Sequence, residues 1–380
     1  MSNFSIYRVG NKLALSGGNV LRTKILPLIS GGQYHSILND FSDYTVWGWG
    51  NNNSGQLGDN TILPKCIPIS TLGQKKIFQT IASNEGTSFG LTSSGVIWGW
   101  GINNVYYLGD GSTINKCTPV SIHGTKKTFC KITAGAIVSS GIDHKGQIWC
   151  WGWGFRGTIG DNDTAIRCTP VSIYGTKKTF CEISSGREYM SSLDKNGMVW
   201  SWGHNAFGQL GDNSTTNRCT PVSIHGAKKT FCYISATYNH TYAIDINNQV
   251  WGWGLNNYGI IGDNSVTVRY TPVSIHGTKK TFCHITGGYT HSVGIDTVGQ
   301  IWGWGGNQYG QIGDNTTTSR RTPVSIHGSK KTFCYIAAGW FHSLGVEYNG
   351  NLWSWGNNFD GQLGDNSTTS RRTPVRVCNL

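Results

Sequence analysis

The side chains with the greatest chemical potential in this chain repeat at a fixed interval. Asp59, Asp110, Asp161, Asp212, Asp263, Asp314 and Asp365 each close a Leu/Ile-Gly-Asp tripeptide, with 51 residues between successive copies. Six residues after each stands a base: Lys65, Lys116, Arg167, Arg218, Arg269, Arg320 and Arg371. A carboxylate and a base at that spacing read as a local pair that pins a loop, worth little at a surface. One carboxylate per loop falls well short of a calcium ligand set, so neither a metal nor a cofactor is expected. A second cationic series is paired: Lys75/Lys76, Lys126/Lys127, Lys177/Lys178, Lys228/Lys229, Lys279/Lys280 and Lys330/Lys331, with His123, His225, His276 and His327 close by. Such a ring could grip phosphates or an acidic partner with salt-dependent affinity. The alternative is a solvated turn copied by duplication, whose lysines keep strand edges apart. No aromatic is interleaved in these pairs for base stacking. The chain shows no nucleophile elbow, phosphate loop or zinc spacing, so no catalytic residue is assigned and the protein reads as non-enzymatic.

The copies are not identical, and their departures single out other residues. A turn that reads Gly-x-x-His elsewhere becomes Asn84-Glu85-Gly86-Thr87, Gly135-Ala136-Ile137-Val138 and Gly186-Arg187-Glu188-Tyr189 in copies two to four. The loop after a Trp-x-Trp pair carries Tyr106 and Tyr107 in copy two, Trp153, Phe155 and Arg156 in copy three, and His204 and Phe207 in copy four. Aromatic and Arg side chains on loops are the chemistry of protein-binding hot spots. Drift in tolerant loops is the rival account. Tyr34, Tyr238, Tyr289 and Trp340 occupy the equivalent turns of the remaining copies and extend the series into an aromatic rim.

The elements that position these residues follow from the same period. Trp47/Trp49 and its six counterparts stand twelve residues before each Asp, and a Pro follows nine residues after it. Within a copy the pattern has period two. Copy six reads FCHITGG, HSVGID, QIWGWG and TPVSIHG, four β-rich runs separated by turn chemistry. No segment shows a helical period. The expected fold is all-β: a seven-bladed β-propeller of four-stranded antiparallel blades, one 51-residue repeat per blade. Residues 24–380 would form the ring. Residues 1–23, with the runs FSIYRV and KLALS, would add strands that latch it. With strands A to D running outwards, AB turns and CD loops share one face, while BC hairpins and DA loops share the other. The departures fall on the AB/CD face and the lysine pairs on the DA/BC face. Cys130 and its equivalents on strand A are expected to be small buried hydrophobes.

The motifs Gly-x-x-His-Ser, Trp-x-Trp-Gly, Gly-Gln-Leu-Gly-Asp and Thr-Pro-Val, recurring seven times, resemble the regulator of chromosome condensation repeat over about nine tenths of the chain. That family is one of seven-bladed propellers. It includes guanine-nucleotide exchange factors for a small nuclear GTPase, ubiquitin-ligase substrate domains, a plant ultraviolet receptor and a bacterial protein inhibitor of β-lactamases. The resemblance implies an architecture and leaves function open. The constant spacing leaves no room for the inserted wedge of the exchange factors, and the N-terminus lacks the basic tail of the chromatin-bound member. The receptor's Gly-Trp-Arg-His-Thr motif is approached once, by Gly339-Trp340-Phe341-His342-Ser343, without the Arg.

Composition agrees. Of 380 residues 53 are Gly and 16 Trp, only 13% are charged, and the net charge is +12. These values exclude a disordered tail or a coiled coil and suit short strands with tight turns. The longest apolar runs are far short of a membrane span, so no membrane insertion is expected. Eleven Cys without CxxC spacing, and no visible signal segment, suggest a cytoplasmic or otherwise reducing compartment, with a virion also compatible. The leading functional expectation is a scaffold that binds a protein partner through the AB/CD face. Alternatives are a guanine-nucleotide exchange factor, a polyanion or nucleic-acid binder using the Lys ring, and a virion or surface component, since near-identical repeats suggest recent duplication in a viral or bacterial genome.

Overall fold

The computed structural model describes residues 5–9, 12–16, 24–25, 28–72, 77–122, 127–175, 178–226, 229–275, 281–328 and 331–378. Seven four-stranded antiparallel sheets follow one another, each built from one contiguous repeat in the order A-B-C-D. Blade 3 is representative: Phe129–Ala134, Val138–Asp143, Ile148–Gly152 and Arg167–Ser172. The described residues contain two helical turns, Phe155–Gly157 and Asn257–Gly259. Ser5–Val9, Lys12–Ser16 and Lys24–Ile25 form a three-stranded sheet of their own. The rest of the segment expected to latch the ring lies outside the described residues.

The core sits between blades. The second Trp of every pair is fully buried. Trp202 of blade 4, for instance, packs with Ile142, Ile148 and Ile159 of blade 3. Its indole N–H donates to the Thr158 carbonyl of that blade at 3.1 Å. The Gly of each Leu/Ile-Gly-Asp tripeptide makes room for this indole. Gly160 has φ +80°, and a Cβ there would lie 2.6 Å from Trp202 Nε1, so no other residue fits. The seam between blades 7 and 1 repeats the arrangement: Trp49 donates to the Gln362 carbonyl, and Ile29 and Leu38 pack with Leu344 and Val346.

A bulge at the start of strand A corrects the expectation for its cysteines. The register slips between Phe129 and Lys131, so the intervening Cys130 leaves the alternation. Cys130, Cys232 and Cys283 are exposed and Cys181 and Cys334 half-buried. Their thiols lean on strand-B carbonyls, as Cys130 does on Ile142 at 3.4 Å.

Candidate protein-binding face

The loop aspartates are structural. Asp212 accepts from Asn205 Nδ2 at 2.9 Å and from Arg218 Nε at 2.8 Å, tying the start of the CD loop to its end. Hydrogen bonds and the guanidinium together hold its carboxyl below the usual carboxylate range despite partial burial. The same pairing recurs in all seven blades, from Lys65–Asp59 at 3.9 Å to Arg371–Asp365 at 2.7 Å.

Three of the four His turns, those of His35, His291 and His342, carry a second set of bonds between blades. Ser88 and Ser36 donate to the Gln56 and Gln362 carbonyls, which commits their protons. The neighbouring His35 Nε2 and His342 Nε2 must therefore act as donors to these hydroxyl oxygens, at 3.0 and 2.9 Å. Burial lowers the pKa of His35 to about 4 and those of His240, His291 and His342 to about 3.

Copies two to four replace this device, and several residues expected to face a partner are consumed in doing so. Tyr107 is buried against Ala136 and Ile137, forming an apolar seam between blades 2 and 3. Tyr189 is fully buried in the His position, and its hydroxyl donates to the His240 carbonyl at 2.6 Å. His204 is buried beneath Glu188 and bonded to Gln209. These three side chains are core: Tyr107 and Tyr189 reach the next blade where the imidazole is missing, and His204 is held within its own blade. Tyr106 is half-buried, with φ +60° where the other blades have Gly.

The rest of the expected set is brought together, and further residues extend it. Trp153 and Phe155 stack at 5.4 Å, both exposed, and Arg156 lies over Phe155 at 4.8 Å. Arg156 pairs with Glu188, whose carboxylate is also 3.6 Å from Arg187. Arg187 lies over Tyr238 at 4.9 Å. Tyr238 meets Tyr289 at 4.2 Å and Trp340 at 5.1 Å, and Tyr34 closes on Trp340 at 6.4 Å. Contacts then run through Phe341 and Tyr309 to the exposed Phe359. A band of rings and guanidinium groups thus crosses the face from blade 3 to blade 7, passing the mouth of the central channel. Phe207 sits beside it, edge-on to His204. The roles of Phe341, Tyr309 and Phe359 were not legible in the sequence, because they occupy ordinary variable positions of regular repeats. Glu85 faces the same mouth. Burial, reinforced by Glu188 and opposed by Arg187, raises its pKa to about 7.

Charge on this face is balanced. The seven loop aspartates have their seven bases, and Glu85, Asp163, Glu188 and Asp360 stand against Arg156, Arg187, Arg321 and Arg372. The excess of +12 therefore lies elsewhere. On the DA/BC face Lys127, Lys178, Lys229 and Lys331 lie over Trp149, Trp200, Trp251 and Trp353 at 4.6, 4.0, 4.1 and 4.2 Å. An aromatic does accompany the second lysine, supplied by strand C of the same blade. Lys75, Lys76, Lys126, Lys177, Lys228, Lys279, Lys280 and Lys330 lie outside the described residues. Among the described residues no cluster of potential metal ligands is found.

This architecture and its repeat define a class. Residues 64–380 match the family model of the RCC1-like domain, and the chain belongs to that family. The chain is similar to the ultraviolet-B receptor UVR8 of Arabidopsis thaliana, 26% identical over 357 residues, covering 91% of this chain and 80% of that protein. It is 25% identical over 354 residues to the human E3 ubiquitin-protein ligase HERC2, covering 88% of this chain but 7% of the ligase. Among solved structures, Prp20p from Saccharomyces cerevisiae superposes with a TM-score of 0.79 at 22% identity, covering 92% of this chain and 87% of that one. That structure is described together with the binding of Prp20p to Gsp1p and histones.

Proposed function

We propose that the protein is a non-enzymatic scaffold that captures a protein partner on its AB/CD face, along the band from Trp153 to Phe359. The observation that carries this reading is the band itself: half-exposed rings and guanidinium groups in unbroken contact on a face whose charges are balanced. Rigid aromatic and Arg groups lose little conformational freedom on binding and make up most interface hot spots. Blades hold them at fixed positions, as rigid scaffolds do for binding loops. The binding of Prp20p to Gsp1p and histones supports a protein as the ligand.

The test is affinity capture from native lysate, with and without nuclease, using the wild type and Trp153→Ala/Arg156→Ala. One protein retained after nuclease and lost from the folded double variant is expected. Equal retention by both overturns the site. The second reading, a nucleotide exchange factor, rests on family resemblance. Accelerated nucleotide release from a captured GTPase would establish it, and the uniform blade spacing argues against it.

A further inference from the structure

The DA/BC face has a composition that neither the fold nor the capture of a partner on the other face requires. Its hairpin aspartates are turned inward. Asp143, Asp194, Asp245 and Asp296 are buried. Each accepts from a Trp Nε1, as Asp194 does from Trp200 at 3.0 Å. Lys127, Lys178 and Lys229 rest their ammonium groups on the faces of three of these indoles, and Lys145 and Lys195 add exposed cations at hairpin tips. Asp43, at the tip of the blade 1 hairpin, is the exposed carboxylate of this face among the described residues.

Apolar side chains stand among these cations. Val298 is 74% exposed, Ile246 63% and Tyr174 59%, and Leu72, Met198 and Tyr44 are exposed as well. All six occupy BC hairpins or DA loops, and they are distributed from blade 1 to blade 6. A hairpin tip accepts polar residues freely, so a rim of exposed apolar tips is not a packing requirement.

We propose that this face docks on an anionic lipid bilayer. Lysines near a surface of acidic headgroups are each attracted to it. Apolar tips on the same face gain by entering the boundary between headgroups and acyl chains. A nucleic-acid duplex would answer the lysines alone. It would lay a charged backbone against the apolar tips, and a rod covers a strip rather than a rim. The contact is adsorption, since no described helix is long and apolar enough to cross a membrane.

The experiment is vesicle flotation with phosphatidylcholine alone and with phosphatidylcholine containing phosphatidylserine, beside a binding titration with duplex DNA. The proteins are the wild type, Ile246→Asp/Val298→Asp and Lys145→Glu/Lys195→Glu, each checked by thermal melting. These positions touch no core, so the variants should melt with the wild type. Flotation only with phosphatidylserine, weakened roughly tenfold or more by either pair, is the expected result. Failure to float with phosphatidylserine overturns the proposal, whether or not DNA binds. Flotation unchanged by Ile246→Asp/Val298→Asp also overturns it, because polyanion attraction alone would then account for binding.

Discussion

The two faces of the ring are made by the same 51-residue template, yet they have diverged in opposite ways. On the DA/BC face the Lys-over-Trp stack recurs from blade to blade, and the hairpin carboxylates are drawn inward. On the AB/CD face each acid is balanced by a base, three successive blades replace the His of the turn, and the next keeps His240 without a bond to its Ser. The difference teaches where variation is cheap. A turn at the channel mouth can be rebuilt if a large side chain such as Tyr189 restores the bond to the next blade.

Several measurements would break or sharpen this contrast. The largest effect should be common to both faces: Trp202→Ala removes a fully buried indole and its bond to blade 3. It should cost about 3–5 kcal/mol by denaturant titration. Acid should separate the sectors of the ring. His35, His240, His291 and His342 have folded pKa values of about 3–4 against 6.5. Their contribution is complete above pH 6.5 and is lost as pH falls towards 4, by about 1.4 kcal/mol per pH unit for each imidazole. Hydrogen exchange at pH 5 should therefore accelerate in blades 5, 6, 7 and 1 before blades 2 to 4. Uniform acceleration would count against the buried imidazoles as the acid-sensitive groups of these seams. Next, Tyr189→Phe should cost about 1 kcal/mol, because it removes one hydrogen bond across the seam while Thr237 still donates to the His240 carbonyl. A smaller loss, about 0.5–1 kcal/mol, is expected for Lys178→Ala, and an unchanged midpoint would mean the Lys178–Trp200 stack holds nothing. Smallest in stability is Trp153→Ala/Arg156→Ala, within about 0.5 kcal/mol of wild type while partner capture is lost.

The architecture was legible because each element repeats seven times with its turn chemistry intact. The Asp–Arg pairs were legible too, since both partners lie six residues apart on one loop. What the sequence concealed depends on contacts across blades or strands. Tyr107 and Tyr189 carry the same side-chain chemistry as the exposed rings, and only the packing shows that one fills an apolar seam and the other replaces an imidazole. Lys127 and Trp149 are separated by a full hairpin, so their stacking exists only once strands A and C share a sheet. Cys130 alternates as a core residue until the bulge turns it outward.

One seam has a consequence of a different kind. Blades 7 and 1 are joined by the same bonds as the covalently continuous pairs: Trp49 to Gln362, Ser36 to His342, and Asn366 N–H to the Cys66 carbonyl. Among the described residues no strand is exchanged across it, because each blade is a contiguous stretch of chain. The peptide connection between neighbouring blades is thus a tether that raises local concentration, while recognition resides in the seam. The ring is in this respect an intramolecular oligomer of seven subunits. Its gene should tolerate being cut at any DA loop and rejoined end to end.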